Sequence, residues 1–142
     1  MTINQLSIFI ENRQGTLLQV LDLFKRAGIQ IIATNLADTV EYGILRIICT
    51  EPQKAFEALK KEGLAVNMTE VFAVEIDNEA GRGADAIASF VNQGISIAYL
   101  YSFIVDGKGI LIFRTDNPAL AAEAISKNQL STLSEKDLPS LV

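Results

Sequence analysis

Apolar and polar positions change period along this chain in an order that repeats. Residues 6–10 (LSIFI) alternate and are rich in β-formers, which predicts a strand, and a turn cluster (ENRQG) follows at 11–15. From Thr16 the apolar residues Leu17, Val20, Leu21 and Phe24 recur at helical spacing, and Gly28 supplies the stop. Residues 29–37 and 42–50 read as a second and third strand, joined by a hairpin at 38–41. Pro52 suits the first position of a second helix, with Ala55, Phe56 and Leu59 as its buried stripe and Gly63 as its end. Residues 65–76 close this pattern and open it again. The second round predicts helices at 82–93 and 118–127 and a glycine-rich hairpin at 106–109.

Sliding the chain by 66 residues, from Gly15 to Gly81, aligns residues 6–59 with 72–125 without a gap. The matches fall where backbone geometry is demanding: Asn12 on Asn78, Gly28 on Gly94, Gly43 on Gly109 and Pro52 on Pro118. Apolar positions follow suit, with Ile8 on Val74, Phe24 on Phe90, Ile29 on Ile95 and Leu45 on Leu111. The expected fold is therefore α+β: two ferredoxin-like βαββαβ modules, each an antiparallel sheet with its helices on one face, divided as residues 1–70 and 71–142.

The join between the copies constrains assembly. In a sheet of order 4-1-3-2, pairing two modules through their second strands separates the joined strands by roughly 24 Å, at about 4.8 Å per strand. About three spare residues reach only about 10 Å, and no Gly, Pro or Ser linker is present at 66–76. Two arrangements are open. Either the fourth strands are exchanged, with 66–76 running as one long strand, or second-strand edges pair between chains. An unpaired edge invites a second copy, so a homodimer is expected.

Composition narrows the chemistry. The 142 residues are 49% hydrophobic and 20% charged, with a net charge of −5. An acidic chain is a poor partner for nucleic acid or anionic membrane, which need clustered Lys and Arg. The densest basic points, Lys25–Arg26 and Lys60–Lys61, fall near predicted helix ends, where cations complement the dipole. No apolar run approaches the roughly 20 residues of a membrane span, and the first residues carry no basic leader, so a cytoplasmic protein is expected. There is no histidine and one cysteine, Cys49, which reads as a buried strand residue. A Cys/His zinc site, a histidine base and an intrachain disulfide are excluded, and no cofactor motif is present.

Asn12-Arg13-Gln14-Gly15-Thr16-Leu17, between a first strand and a first helix, resembles the N-R-P-G-x-L signature of ACT domains. Ala27-Gly28-Ile29-Gln30-Ile31 resembles that family's A-G-I-N-I, and the second copy repeats both as Asn78-Glu79-Ala80-Gly81 and Gln93-Gly94-Ile95-Ser96-Ile97. Gln14 and Ala80 replace the usual proline, and Gln30 and Ser96 the usual asparagine. The resemblance implies a small stand-alone tandem-ACT protein that binds an L-amino acid at an ACT–ACT interface. The ligand would sit between the first loop of one module and the second-strand entry of its neighbour. The site residues so implied are Asn12, Arg13, Gln14, Gly15, Thr16, Leu17 and Gln30, with Asn78, Gly81, Arg82 and Ser96 in the second copy. A regulated enzyme is the implied partner.

The chemistry of these residues points the same way. A loop entering a helix N-terminus presents backbone N–H donors and positive dipole to a carboxylate. Glycine permits close approach, and asparagine offers both donor and acceptor. The competing reading is structural: Asn12 making an Asx turn and Gly15 serving only a positive φ. Arg13, Glu79 and Arg82 are then solvated loop charges, Tyr42, Tyr99 and Tyr101 pack along strands, and Arg46 faces solvent or pairs with Asp38. The second loop carries Glu79, which repels a carboxylate, and Gly83, which weakens its helix start, so the first loop is expected to dominate. Acids at 11, 38, 41, 77 and 79 favour a polar, nitrogen-bearing ligand such as histidine.

Catalysis needs a positioned nucleophile, base, metal or cofactor. Acylphosphatases share the layout, but Arg13 with Asn35 lacks their glycine-rich phosphate cradle. RNA-binding modules of this layout need exposed aromatics and a basic sheet face, whereas the third strands here are aliphatic. A non-catalytic sensor is expected. The alternative is a ligand-free interaction module built on the same duplicated domain.

Overall fold

The first strand, β1 (Thr2–Glu11), leads into helix α1 (Thr16–Ala27), strands β2 (Ile31–Asp38) and β3 (Tyr42–Cys49), and helix α2 (Pro52–Lys61). Strand β4 (Ala65–Asp77) follows, then α3 (Arg82–Val91), β5 (Ile97–Val105), β6 (Lys108–Thr115), α4 (Pro118–Lys127) and the short β7 (Ser131–Thr132). A 3₁₀ helix, Glu135–Leu141, ends the chain. These elements come from a computed structural model, which describes residues 1–11, 13–38 and 42–142. Residues 66–76, for which one long strand was one of the two open arrangements, lie within β4, unbroken from Ala65 to Asp77. The turn expected at 38–41 lies outside the described residues beyond Asp38.

The chain forms two units. One holds Asn4–Thr69 with Leu138–Val142, the other Met1–Ile3 with Glu70–Asp137. The strand order in the first is β2-β3-β1-β4, and in the second β5-β6-β4-β7. Both are the 4-1-3-2 order of a ferredoxin-like sheet.

In the first unit the alternation of β1 puts Leu6, Ile8 and Ile10 against the helices, where Val20, Leu23, Phe24, Ala55 and Leu59 meet them. The face of α1 is rotated from the expected stripe. Leu23 is buried at 4% exposure, whereas Leu17, in the first turn of α1, is 36% exposed. Cys49 is fully buried, as its apolar run implied. The second core repeats the first position by position: Phe72, Val74, Phe90, Leu111, Phe113 and Ile125. Phe113 packs edge-on to Phe90 at 4.8 Å and stacks on Phe72 at 5.6 Å. Burying one such side chain contributes about 1.5–3 kcal/mol.

The duplication extends to irregularities. A register shift lies between Ile31 and Ala33 against β3, and another between Ile97 and Tyr99 against β6. The N–H of Gln30 donates to the Thr50 hydroxyl at 3.3 Å, and that of Ser96 donates to the Asp116 carboxylate at 3.1 Å. Asp106 and Gly107, at φ of 50° and 75°, make the tight turn between β5 and β6. Helix α3 stops at Val91, two residues short of expectation, because the chain tightens at Asn92–Gly94 to bring Ile95 into the core.

Candidate ligand-binding site

The first loop is folded on itself between β1 and α1. The backbone N–H of Arg13 donates to the Glu11 carbonyl at 2.7 Å, and that of Gln19 to the Gly15 carbonyl at 3.0 Å. The Thr16 hydroxyl is placed to donate to the carbonyls of Glu11 (2.8 Å) and Arg13 (2.9 Å). Gly15 stands at the N-cap of α1 with φ +90°, a conformation that a side chain at this position would strain. Being glycine, it offers no capping side chain of its own, and the positive end of α1 faces the loop. The Arg13 guanidinium meets the Glu11 carboxylate at 2.6 Å, both groups mostly in solvent. Asn12 lies outside the described residues.

Two clefts flank this loop, sharing Ile10, Glu11, Arg13 and Thr16 as a common wall. The cleft on the β2 side, about 350 Å³, adds Leu17, Leu36, Asp38 and Gly43. Gly43 is needed there for space: a Cβ would stand 3.2 Å from Leu36 Cδ1 and 3.4 Å from Ile10 Cγ1. The cleft on the β4 side, about 380 Å³, adds Phe9, Gln19, Tyr42 and Leu64. Phe9 and Tyr42 meet edge to face with centroids 5.7 Å apart, so Tyr42 both packs along the sheet and lines a cleft.

The structure thus brings together Arg13, Thr16 and Leu17 around Gly15, while Gln14 is exposed and lines neither cleft. Gln30 is elsewhere. It precedes β2 at the far end of the 12-residue α1, about 18 Å along the helix axis. A single module cannot place Gln30 and its own first loop on one small ligand. Ser96 stands in the same relation to the loop of the second module.

In that second loop Gly81 repeats the left-handed N-cap at φ +88°. Arg82 donates to Glu79 at 3.1 Å and to Asp85 at 3.2 Å, which holds its guanidinium above its ordinary range, the Glu79 bond contributing most. Lys108 is paired with Asp77; the bond from the Lys108 ammonium lowers the Asp77 carboxyl, and in return raises Lys108. A cleft of about 350 Å³ adjoins them, lined by Arg82, Asp85, Lys108 and Gln129 among others. Asn78 is exposed and does not line it.

Sequence reasoning missed Phe9, Leu36, Leu64 and Lys108 as site-lining residues. The repeat carried a signal for one of them, since Lys108 falls on Tyr42. Among the described residues no group of three or more acids or cysteines is placed to hold a metal ion, and no helix is long and apolar enough to cross a membrane.

Two ferredoxin-like modules, each with a glycine-capped entry from its first strand to its first helix, define a duplicated ACT-type architecture. The chain belongs to the ACT domain pair family, which it matches over residues 1–142. No curated protein matches its sequence. A Bacteroides thetaiotaomicron protein of known crystal structure has the same fold with a TM-score of 0.92 and 33% identity, over 97% of this chain and 96% of that one. The ligand-free regulatory subunit of aspartate kinase from Thermus thermophilus has a TM-score of 0.63 and 14% identity, over 87% and 91% of the two chains. The regulatory subunit from Thermus flavus gives 0.61 and 15%, over 87% and 90%. These two share the fold.

Proposed function

We propose that this protein is a non-catalytic regulatory sensor that binds an L-amino acid at the loop of residues 12–17. The observation that carries the reading is the glycine N-cap of α1 at Gly15, beside the β2-side cleft. A carboxylate there meets helix-terminal N–H groups and the Arg13 guanidinium, while the side chain enters between Leu17, Leu36 and Asp38. Asn12 serves the α-amino or carboxylate group. Gln30 contributes from an adjoining module, because within its own module it stands a helix length away. Arg82, Gly81 and Asn78 make the corresponding, weaker site, with Ser96 standing to it as Gln30 does to the first. Asp38 favours a ligand with a nitrogen-bearing side chain such as histidine. The functional modules are residues 1–70 and 71–142, the assembly is a cytoplasmic homodimer, and the output is control of a partner enzyme.

A thermal-shift screen of the twenty amino acids tests this. A ligand at about a hundred times its Kd stabilises by about 2.7 kcal/mol. If none responds at millimolar concentration, the reading falls in favour of a ligand-free interaction module. The exposed apolar residues of edge strand β5, Leu100 at 42% and Ile104 at 63%, would be the surface to pursue.

A further inference from the structure

The β4-side cleft is a duplicated feature. Adding 66 to each of its lining residues other than Arg13 gives a residue lining the cleft of the second module. The correspondence extends beyond the gapless sequence match, to Leu64 on Leu130 and Ala65 on Ser131. The shape is therefore set by the fold: the end of the first strand, the first two turns of the first helix and the entry to the fourth strand.

The chemistry has diverged between the copies. Phe9 becomes Glu75, Tyr42 becomes Lys108, Thr16 becomes Arg82 and Gln19 becomes Asp85. In the second module the new cations are held in ion pairs, Lys108 with Asp77, and Arg82 with Asp85 and Glu79. Two of these pairs, Lys108–Asp77 and Arg82–Asp85, stand in the wall of that cleft and satisfy its charges. In the first module the same space is walled by a half-exposed aromatic pair, Phe9 at 37% and Tyr42 at 40%, with Leu64 beside it. Among the described residues its one ion pair, Arg13 with Glu11, stands in the shared wall.

We propose that the β4-side cleft of the first module is a second small-molecule site, separate from the amino-acid site, which takes a planar aromatic ring bearing a carboxylate. The ring lies against Phe9 and Tyr42 in the offset or edge-on geometry that aromatic groups favour. The carboxylate reaches Arg13, with the Gln19 amide as a further donor. Glu11 is thereby displaced from Arg13. Because Glu11, Arg13 and Thr16 also wall the β2-side cleft, a carboxylate on one side draws the guanidinium from the other. The two sites are antagonistic, and by linkage the antagonism is reciprocal.

The test uses the full chain and probes that lack an amino group, so that it is independent of the amino-acid screen. Phenylacetate, acetate and cyclohexylacetate are titrated while the ring resonances of Phe9 and Tyr42 are followed by NMR. Phenylacetate is expected to shift both rings saturably at millimolar concentration, and acetate to leave them unmoved. Cyclohexylacetate should bind at least about threefold more weakly. The variant Phe9→Glu/Tyr42→Lys, which writes the second module's residues into the first, should lose at least about tenfold in affinity, read in both proteins from the side-chain amide resonances of Gln19. Tyr42→Lys alone, with its melting temperature measured, guards against misfolding of the pair. Unmoved rings, or an affinity indifferent to these substitutions in folded protein, would overturn the proposal. Where an amino acid from the screen binds, phenylacetate should weaken it; simultaneous, non-competing binding would overturn the antagonism.

Discussion

The Arg82 guanidinium donates to the Glu79 carboxylate at 3.1 Å, so the acid that stands where Arg13 stands in the first module is locally neutralised. The second loop is thus self-paired: its one cation is shared between Glu79 and Asp85. A ligand carboxylate must compete with both. In the first loop Arg13 has one acid, Glu11, beside it among the described residues.

From this asymmetry Asn12→Ala is expected to weaken amino-acid binding by about 1–3 kcal/mol, the range for leaving a polar partner unmade. Asn78→Ala should cost less. Calorimetry on the two variants checks the ranking, and a larger loss from Asn78→Ala reverses it.

Thr16 ties the loop to the helix start through the carbonyls of Glu11 and Arg13. Thr16→Val removes the hydroxyl at nearly constant shape. It should lower stability by about 0.5–1.5 kcal/mol, the net worth of a typical hydrogen bond, and weaken ligand binding, while Thr16→Ser preserves both. Urea unfolding and calorimetry read the two effects separately; equal stability of the Val and Ser variants would show that the hydroxyl has no structural role.

Gly43 and Gly15 are required for different reasons, and substitution separates them. Gly43→Ala forces a Cβ against Leu36 and Ile10 and should cost about 1–3 kcal/mol by overpacking. Adding Leu36→Ala should recover part of that loss, a coupling that a double-mutant cycle measures. Gly15→Ala meets no atom within 4 Å, yet should cost about 1–2 kcal/mol from its left-handed backbone. No companion substitution should recover it.

Asp137 accepts the backbone N–H of Ser134 at 2.8 Å and its hydroxyl at 2.9 Å. The backbone bond is the larger cause holding this carboxyl below its ordinary value of 3.8. A depressed folded pKa contributes stability that is present above the unfolded value and lost as pH falls through the folded one. The urea midpoint should therefore decline below about pH 4, and Asp137→Asn should make that decline shallower. Asp77, lowered by Lys108, contributes with the same sign and remains in the variant. An identical acid limb for both proteins would remove Asp137 from the balance.

Strand β2 closes one end of the first module's sheet and β5 one end of the second's. Among the described residues the outer edge of each is unpaired, which favours pairing with another chain. Light scattering should give a dimer. Leu36→Lys, at a position 50% exposed on β2, should shift it toward monomer if that edge is the contact. A monomeric wild type at high concentration would discard the expectation.

Much of this was legible in the sequence because it depends on local periodicity and on backbone positions that few residues tolerate. Alternation fixed which side of β1 carries Leu6, Ile8 and Ile10, and Gly15 and Gly81 marked the two helix entries. The copy-to-copy match then gave the module order. The end of β2 was readable to within one residue, with Asp38 expected in the turn, and Pro118 as the start of α4 was readable from helix-start chemistry. The rotation of α1 that buries Leu23 and exposes Leu17 was not. Several neighbouring apolar residues offered more than one stripe, and only packing against the sheet chose between them.

The site divides along the same line. The sequence by itself determined the loop, its glycine and the helix that follows, because strand, turn and helix start are consecutive there. Only tertiary structure decided that Phe9, Tyr42 and Leu64 share a cleft, or that Leu36 and Asp38 wall the other side of the loop. Those residues meet through sheet pairing and crossover helices, which join positions far apart in the chain. It also decided that Gln30 stands a helix length from its own loop. Sequence proximity to a motif reports the path of the backbone, whereas a binding surface is made wherever the packed elements leave a gap.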